Sequence, residues 1–591
     1  MGCFARTVLP FLFLAVPCLA QSSGPALPQL PVPHFEDVGA AAGLTVPHNA
    51  TPEQRYILES MSGGVGFIDC DNDGNLDIIT VNGTSVDRYH QGGDPMITLY
   101  HQDTDPKSSD LKFRDITKEA GLTRKGWGMG VSVADFDNDG WQDIYVTGYG
   151  GNVLYRNLGN CKFEDVTDKA GLRVGGFSTG ASWGDFDRDG FVDLFVPRYV
   201  SIDSNKLPQF GSDEKTCKFR GIPVQCGPWG LPGESDFLFR NKGDGTFEDV
   251  SRKAGVDDPK HYFGMQGVWA DYDNDGWPDL YVANDAGPNY LYHNKHDGTF
   301  EEVGLLSGAA LSGDGQEEGS MGVDFGDIDH DGLLDIIVSE FTEQPDLLFW
   351  NRGTALGFTD ISWSSHIAQP SYPLVGWGTG FFDMDNDGWL DLFVANGHVY
   401  PQMDLVKGGV PYRQPVLLFR NHRDRTFDDV TTLSSLDKLP PEARRGAAFG
   451  DVNNDGKVDI LILNVGRPPT LLINRTEGTG HAALFKLLGT KSNKAAIGAR
   501  VTVTTSAFVQ FNEVRSGSSY LSQNDLRLHF GFGQETLIDT TEVTWPSGKK
   551  DVIQNLPTDF IYTIVEGEGV QSKVPFRNSS PTGGGKDAAA K

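Results

Sequence analysis

Along residues 34 to 475 the apolar positions come in short runs, β-branched or aromatic, each closed off by Gly, Asn or Asp. Such runs are too brief for helix faces and read as strands. Four kinds of run recur together: a Phe-x-Asp-Val piece (Phe163 to Val166), a Gly-rich piece ending in Asp (Gly180 to Asp185), a Leu-Phe-Val piece (Asp193 to Val196) and a Leu-Tyr-Arg-Asn piece (Leu238 to Asn241). Four strands per repeat predict one blade of a β-propeller.

The repeat count is set by an acidic loop, Asp-x-Asp-x-Asp-Gly-x-x-Asp, which begins at Asp69, Asp135, Asp185, Asp271, Asp327, Asp383 and Asp451, at intervals of 50 to 86 residues. These are loops 1 to 7 below. Six Phe-x-Asp-Val pieces lie between consecutive loops, and a seventh, Phe35 to Val38, stands before the first; Leu471 to Asn474 at the far end lacks a following partner. Pairing the Phe35 strand with the Leu471 strand would complete the last blade from both chain ends and protect its edges. The expected fold is therefore all-β, a seven-bladed propeller over about residues 34–475.

The flanks read differently. Residues 1–20 have the form of a signal peptide, with Arg6, the apolar stretch Val8 to Leu19 and a small-x-small site at Cys18-Leu19-Ala20. Cleavage near Ala20 would make the protein secreted or periplasmic; Pro17 fits a lipid anchor on Cys18 poorly. Residues 21–33 read as a linker, and no later stretch is apolar enough to span a membrane. Residues 480–568 alternate apolar and polar positions through Arg500 to Thr505 and Thr541 to Trp545, with a turn at Pro546, which predicts a small β domain. Residues 569–591 read as a disordered tail, rich in Ser, Pro, Gly and Lys.

A formal charge of −31 excludes nucleic acid and anionic membrane as partners. The loops themselves hold 27 carboxylates, nearly the whole excess. A hard cation takes six to eight oxygens, and this spacing offers side chains at positions 1, 3, 5 and 9, a backbone carbonyl at 7, and Gly at 6 for the turn. Loop 1 supplies Asp69, Asp71, Asp73, Asn75 and Asp77. Loop 2 supplies Asp135, Asp137, Asp139, Trp141 and Asp143, and loop 3 Asp185, Asp187, Asp189, Phe191 and Asp193. Loop 4 supplies Asp271, Asp273, Asp275, Trp277 and Asp279, and loop 5 Asp327, Asp329, Asp331, Leu333 and Asp335. Loop 6 supplies Asp383, Asp385, Asp387, Trp389 and Asp391, and loop 7 Asp451, Asn453, Asp455, Lys457 and Asp459. Up to seven Ca2+ ions are expected, most weakly at loop 7, where Asn453 removes a charge. An EF-hand would place a bidentate Glu at position 12. Here that position is Thr80, Val146, Val196, Val282, Val338, Val394 or Ile462, so the loops are strand-to-strand turns.

Of the four cysteines beyond the leader, Cys217 and Cys226 bracket a turn-rich span and are expected to form a disulfide, with two free thiols as the alternative. Cys70 and Cys161 are expected to be bystanders. Gly176-Phe177-Ser178-Thr179-Gly180 matches a nucleophile motif and Gly126-x-Gly128-x-Gly130 a dinucleotide motif, but both precede strands rather than helices, which removes their chemistry.

If the acidic loops share one face, the joins between second and third strands share the other. The long ones, Gly83 to Thr98, Arg198 to Ser235 and Gly397 to Val416, carry Tyr89, His90, Arg198, Tyr199, Trp229, His398, Tyr400 and Tyr412, a candidate surface for extracellular protein or glycan. The alternative is that these aromatics pack their own loops.

The repeats resemble the FG-GAP or VCBS repeats of integrin α-subunit propellers. Lys486 to Gly567, through Gly489-Thr490-Lys491-Ser492-Asn493, Gly517-Ser518-Ser519-Tyr520-Leu521-Ser522-Gln523-Asn524-Asp525 and Val543-Thr544-Trp545-Pro546-Ser547-Gly548, resembles the ASPIC/UnbV domain. The combination is similar to the cartilage acidic protein 1 family. The resemblance implies calcium in the hairpin between the first two strands of a blade, an extracellular location and no established reaction. The expected role is a non-enzymatic, calcium-stabilised binding or adhesion scaffold. The competing expectation is a calcium-dependent polysaccharide lyase or hydrolase, for which His90, Arg198 and His398 are the first suspects.

Overall fold

Each unit folds as an antiparallel sheet of four strands running from the Gly-rich run inside to the Phe-x-Asp run outside, and in blade 2 the short strand Asp94–Pro95 adds a fifth beside Lys125–Ala134. The computed structural model describes residues 30–51, 56–105, 108, 110–207, 217–407 and 409–577; the expected signal peptide lies outside them. Blade 1 comprises Val65–Ile68, Asp77–Val81, Ile97–Gln102 and Phe113–Asp115. Blade 7 comprises Arg444–Gly450, Asp459–Asn464 and Thr470–Asn474, and Phe35–Asp37 supplies its outermost strand, with Phe35 opposite Asn474 and Asp37 opposite Leu472. The ring of seven blades closes between the two ends of the array, as the unmatched runs predict.

One side chain per blade clips that ring together. The residue that ends each third strand donates its amide to the backbone carbonyl of position 2 in the preceding blade's acidic loop: Asn157 to Cys70 (2.9 Å), Asn241 to Phe136 (2.8 Å), Asn294 to Phe186 (2.9 Å), Asn351 to Tyr272 (2.9 Å), Asn421 to Ile328 (2.9 Å) and Asn474 to Met384 (2.8 Å). Gln102 closes the circle from blade 1 to Val452 in loop 7, at 3.1 Å. The Asn of each Leu-Tyr-Arg-Asn run is thus an inter-blade clip, satisfying a carbonyl that would otherwise be buried unpaired.

The C-terminal domain has two four-stranded sheets. In one, His481–Leu488 pairs antiparallel with Leu528–Gly533 and parallel with Phe560–Val565; in the other, Arg500–Thr504 lies between Val509–Glu513 and Leu537–Thr544, with Lys550–Pro557 outside. Phe485, Val501, Phe530, Ile538 and Tyr562 belong to its buried core. The expected tail needs correction at its start: Gly569–Pro575 is an antiparallel strand on Phe560–Val565. Its side chains are mostly exposed, so its composition resembles a tail while its backbone completes a sheet.

This domain sits on the acidic-loop face and sends Ser516–Asn524 down the propeller axis. Gln523 N–H donates to Val65 O (2.9 Å), Val131 N–H to Leu521 O (3.0 Å), Ser519 N–H to Val323 O (2.8 Å) and Thr379 N–H to Ser519 Oγ (3.0 Å). Ser516 bridges to Trp183, Leu521 N–H reaches Gln266 Oε1 (3.0 Å) and Phe449 N–H reaches Asn524 Oδ1 (3.0 Å), so every blade touches the plug. The glycines of the inner strands follow from it. A Cβ on Gly130 would lie 3.0 Å from Leu521 Cβ, and one on Gly66 3.0 Å from Gln523 Cβ. Crowding at the axis comes from the inserted segment as well as from neighbouring blades.

Cys217 and Cys226 form the expected disulfide, with Cα atoms 5.0 Å apart. Cys70 and Cys161 are not bystanders: they form a second disulfide, Cα atoms 4.9 Å apart, which ties position 2 of loop 1 to the outer turn of blade 2. The clip from Asn157 to Cys70 already brings these segments together, so the bond adds a covalent tie where every other blade pair relies on an amide.

Candidate metal centres

All seven acidic loops turn between the innermost and second strands of a blade and are built alike. Position 6 is Gly with φ between +85° and +92°, and position 4 is also left-handed, for example Asn72, Asn138 and Asn386, each at +58°. Only Gly adopts the first readily, and Asn tolerates the second. In loop 2, Asp139 and Gly140 N–H donate to the two oxygens of Asp135 (3.0 and 2.7 Å), and Trp141 N–H to Asp139 Oδ1 (3.0 Å). Asp143 accepts Phe136 N–H (3.0 Å) and Asn157 N–H (2.7 Å). Carboxylate atoms of Asp135, Asp137 and Asp143 gather within 4.8 Å of one another.

Several of these oxygens are buried with no hydrogen-bond partner, among them Asp137 Oδ1, Asp185 Oδ1, Asp187 Oδ1 and Asp271 Oδ1. Burial, opposed by backbone donors and reinforced by neighbouring carboxylates, pushes Asp135 up to about 7, and Asp185 and Asp327 likewise. Asp271 rises to about 8, from burial and then from Glu513. Oxygen-only donors, crowded and partly orphaned, fit a hard divalent cation.

Basic side chains line the outer rim. Arg156 reaches Asp139 at 2.8 Å and also pairs with Asp137; Arg240 reaches Asp189 at 2.9 Å; Arg420 reaches Asp385 at 2.8 Å; His296 reaches Asp275 at 2.7 Å. They offset part of the loop charge at positions 3 and 5. In loop 7 the side chain of Asn453 donates to Asp455 Oδ2 at 3.2 Å, and Lys457 lies 3.7 Å from the same carboxylate.

The C-terminal domain touches every loop. Lys486 Nζ meets Asp69 Oδ2 (3.0 Å), Lys494 N–H meets Asn138 Oδ1 (2.7 Å), Arg188 of loop 3 donates to Pro546 O (2.7 Å), and Arg500 pairs with Asn274 of loop 4 and Gly332 O of loop 5 (3.3 Å). Gly533 N–H donates to Asn386 O of loop 6 (2.7 Å), and Arg527 to Asp451 O of loop 7 (2.7 Å). Sequence reasoning missed this relation, since nothing in the Asp pattern says what covers it.

Most of the expected ligand face is instead packed inward. Tyr89 is tilted 5.8 Å from Trp127, His90 pairs with Ser204 Oγ (3.1 Å), Arg198 with Glu234, and Tyr199 with Asp285. His398, Tyr400 and Tyr412 are buried, His398 being held down to about 3 by burial and then by Arg445. Trp229, at 66%, and His90 stand exposed, and Tyr89 is half-buried. Among the described residues His90 and Arg198 bond to different partners, Ser204 and Glu234. Ser178 of the nucleophile-like motif is buried and bonded by Asn152 Nδ2 at 3.0 Å.

Two family descriptions match. FG-GAP-like repeat covers residues 69–146, 135–196, 230–282, 271–338 and 383–462, together more than half of the chain, and ASPIC and UnbV covers 489–571. Cartilage acidic protein 1 of Homo sapiens is 29% identical over 332 residues, 54% of this chain and 46% of that protein. Its Xenopus tropicalis counterpart is 29% identical over 287 residues, 47% and 40%. The chain thus spans about half the length of these relatives. Among solved structures, YCF48 bound to D1 peptide aligns with a TM-score of 0.39 at 8% identity, covering 76% of this chain and 98% of that one. No described helix is long and apolar enough to cross a membrane. The chain belongs to the FG-GAP-like repeat family, as a seven-bladed propeller carrying an ASPIC and UnbV domain at its C-terminal end.

Proposed function

We propose that this protein is an exported calcium-binding scaffold that presents the propeller face opposite the acidic loops to an extracellular protein or polysaccharide. The observation that carries the calcium assignment is the recurrence, in several loops of one design, of buried carboxylate oxygens that no protein donor satisfies. In each loop the side chains at positions 1, 3, 5 and 9 and the carbonyl at position 7 would hold the ion. Its chemistry there is charge neutralisation. Position 9 already ties the second strand to the third through the clip residue's N–H, so an ion at that carboxylate would brace the blade rather than meet a substrate. Cover by the C-terminal domain supports the same structural role. Two disulfides favour an oxidising, extracytoplasmic compartment.

Native mass spectrometry and calorimetry on chelator-treated, dialysed protein test the reading. Uptake of several Ca2+ ions, with a raised melting temperature and a preference over Mg2+, is expected; no uptake and an unchanged melt in chelator would remove it. A glycan and secreted-protein binding screen with and without Ca2+ tests the scaffold role.

A further inference from the structure

On the face away from the acidic loops, the hairpin closed by Cys217–Cys226 leans over the loops of blades 5 and 6. Phe219 at its tip packs on Phe341 and Tyr400, at ring distances of 5.9 and 5.8 Å, and Gln225 Nε2 is anchored on Ser60 Oγ at 2.8 Å. Beneath it lies a cavity of about 160 Å³. Its walls are the rings of Tyr199, Trp229, Phe341 and Tyr400, and its polar groups include Asp285, Glu317 and Glu318. No Lys, Arg or His is among the described residues that line it. The walls are held before any ligand arrives: Tyr199 Oη donates to Asp285, Ala286 N–H to Glu318 O at 2.9 Å, and Asp285 bridges to Gly319.

Carboxylates among aromatic faces attract an organic cation; the guanidinium of Arg445, close to the lining, is stacked 4.0 Å from the ring centre of Trp377. Ring faces favour the charge electrostatically, and the carboxylates pair with its N–H groups. The volume admits one slender side chain rather than a folded segment, and a chain of net charge −31 draws basic partners toward it over a distance. We propose that this cavity is a subsite for the alkylammonium group of a lysine side chain presented by a basic extracellular protein, with Trp229, Glu318 and Asp285 in its lining. The proposal rests on the reading that this face is the binding face. Lysine's apolar stem suits the rings while its head meets the acids.

The full chain, saturated with Ca2+ at about 150 mM salt to screen loose surface attraction, is titrated with tetralysine and with tetralysine acetylated on every Nε. Calorimetry and tryptophan fluorescence are read together, the Trp229 share being the change lost in Trp229→Ala. Saturable binding of tetralysine is expected, about tenfold weaker after acetylation, with Trp229→Ala and Glu318→Gln each weakening it by about three- to tenfold while the melting temperature holds. Equal affinity for the acetylated peptide, or binding indifferent to both variants, would overturn the proposal and assign the lysines to the acidic surface at large. Loss of lysine binding with Ca2+-dependent capture of a glycan elsewhere on this face would also overturn it, yet leave the scaffold reading standing; no ligand of any class on this face would remove both.

Discussion

Lys486 Nζ of the C-terminal domain lies 3.0 Å from Oδ2 of Asp69, the first carboxylate of loop 1. An ammonium there competes with any cation for the same oxygen. Lys486→Met should raise the Ca2+ affinity of loop 1 by about three- to tenfold, in keeping with a partly shielded charge pair. A Tb3+ luminescence titration excited through tryptophan, compared with Asp69→Asn, checks it.

Proton competition should make the calcium effect depend on pH. In calcium-free protein Asp135, Asp185 and Asp327 sit near 7, against an ordinary value of 3.8. The folded state keeps protons that the unfolded state sheds, so the stability these groups contribute is present below about pH 4 and is lost as pH rises through 7. Buried His48 and His398, held near 3, act in the opposite sense, losing stability as pH falls through their unfolded value of 6.5. They cancel when melts with and without Ca2+ are subtracted. The Ca2+-induced rise in melting temperature should therefore be larger at pH 8 than at pH 5.5.

The axial plug should carry a large share of stability. Leu521 is 1% exposed, and Leu521→Ala should cost about 2–5 kcal/mol in a denaturant titration. Gln523 Oε1 accepts Val133 N–H at 3.0 Å and Gly517 N–H at 3.1 Å, so Gln523→Leu should cost about 1–3 kcal/mol by leaving them buried and unpaired.

Reduction should cost more stability through one disulfide than through the other. Cys70–Cys161 closes 91 residues of chain, Cys217–Cys226 only 9. The double variant Cys70→Ser with Cys161→Ser should lose about 4 kcal/mol. Cys217→Ser with Cys226→Ser should lose less, about 2–3 kcal/mol, and disturb the hairpin locally, as read by proteolysis.

The repeat, the seven loops and the closing strand at Phe35 were legible because strand length, Gly spacing and the unmatched ends are local or countable properties of the chain. What escaped was non-local. Cys70 and Cys161 carry no spacing signal, since two cysteines far apart in sequence pair only if the fold brings them together. Gly517 to Asp525 has neither a strand nor a helix period, and only the channel it fills explains its small residues. The edge strand Gly569–Pro575 has few apolar residues to bury, so hydrophobic patterning could not reveal it. The aromatics of the long loops were visible, but whether they faced water depended on packing between loops distant in sequence; Trp229 and His90 stayed outside.

The plug also dictates a schedule. Blade 7 cannot be finished until residue 474 has met Phe35, and the axis stays hollow until Ser516–Asn524 arrives, so a chain emerging from its N-terminal end spends most of its synthesis with an open inner rim. Maturation must then be a late, concerted event. Truncation before residue 516 should leave a species that chaperones or proteases recognise as unfinished.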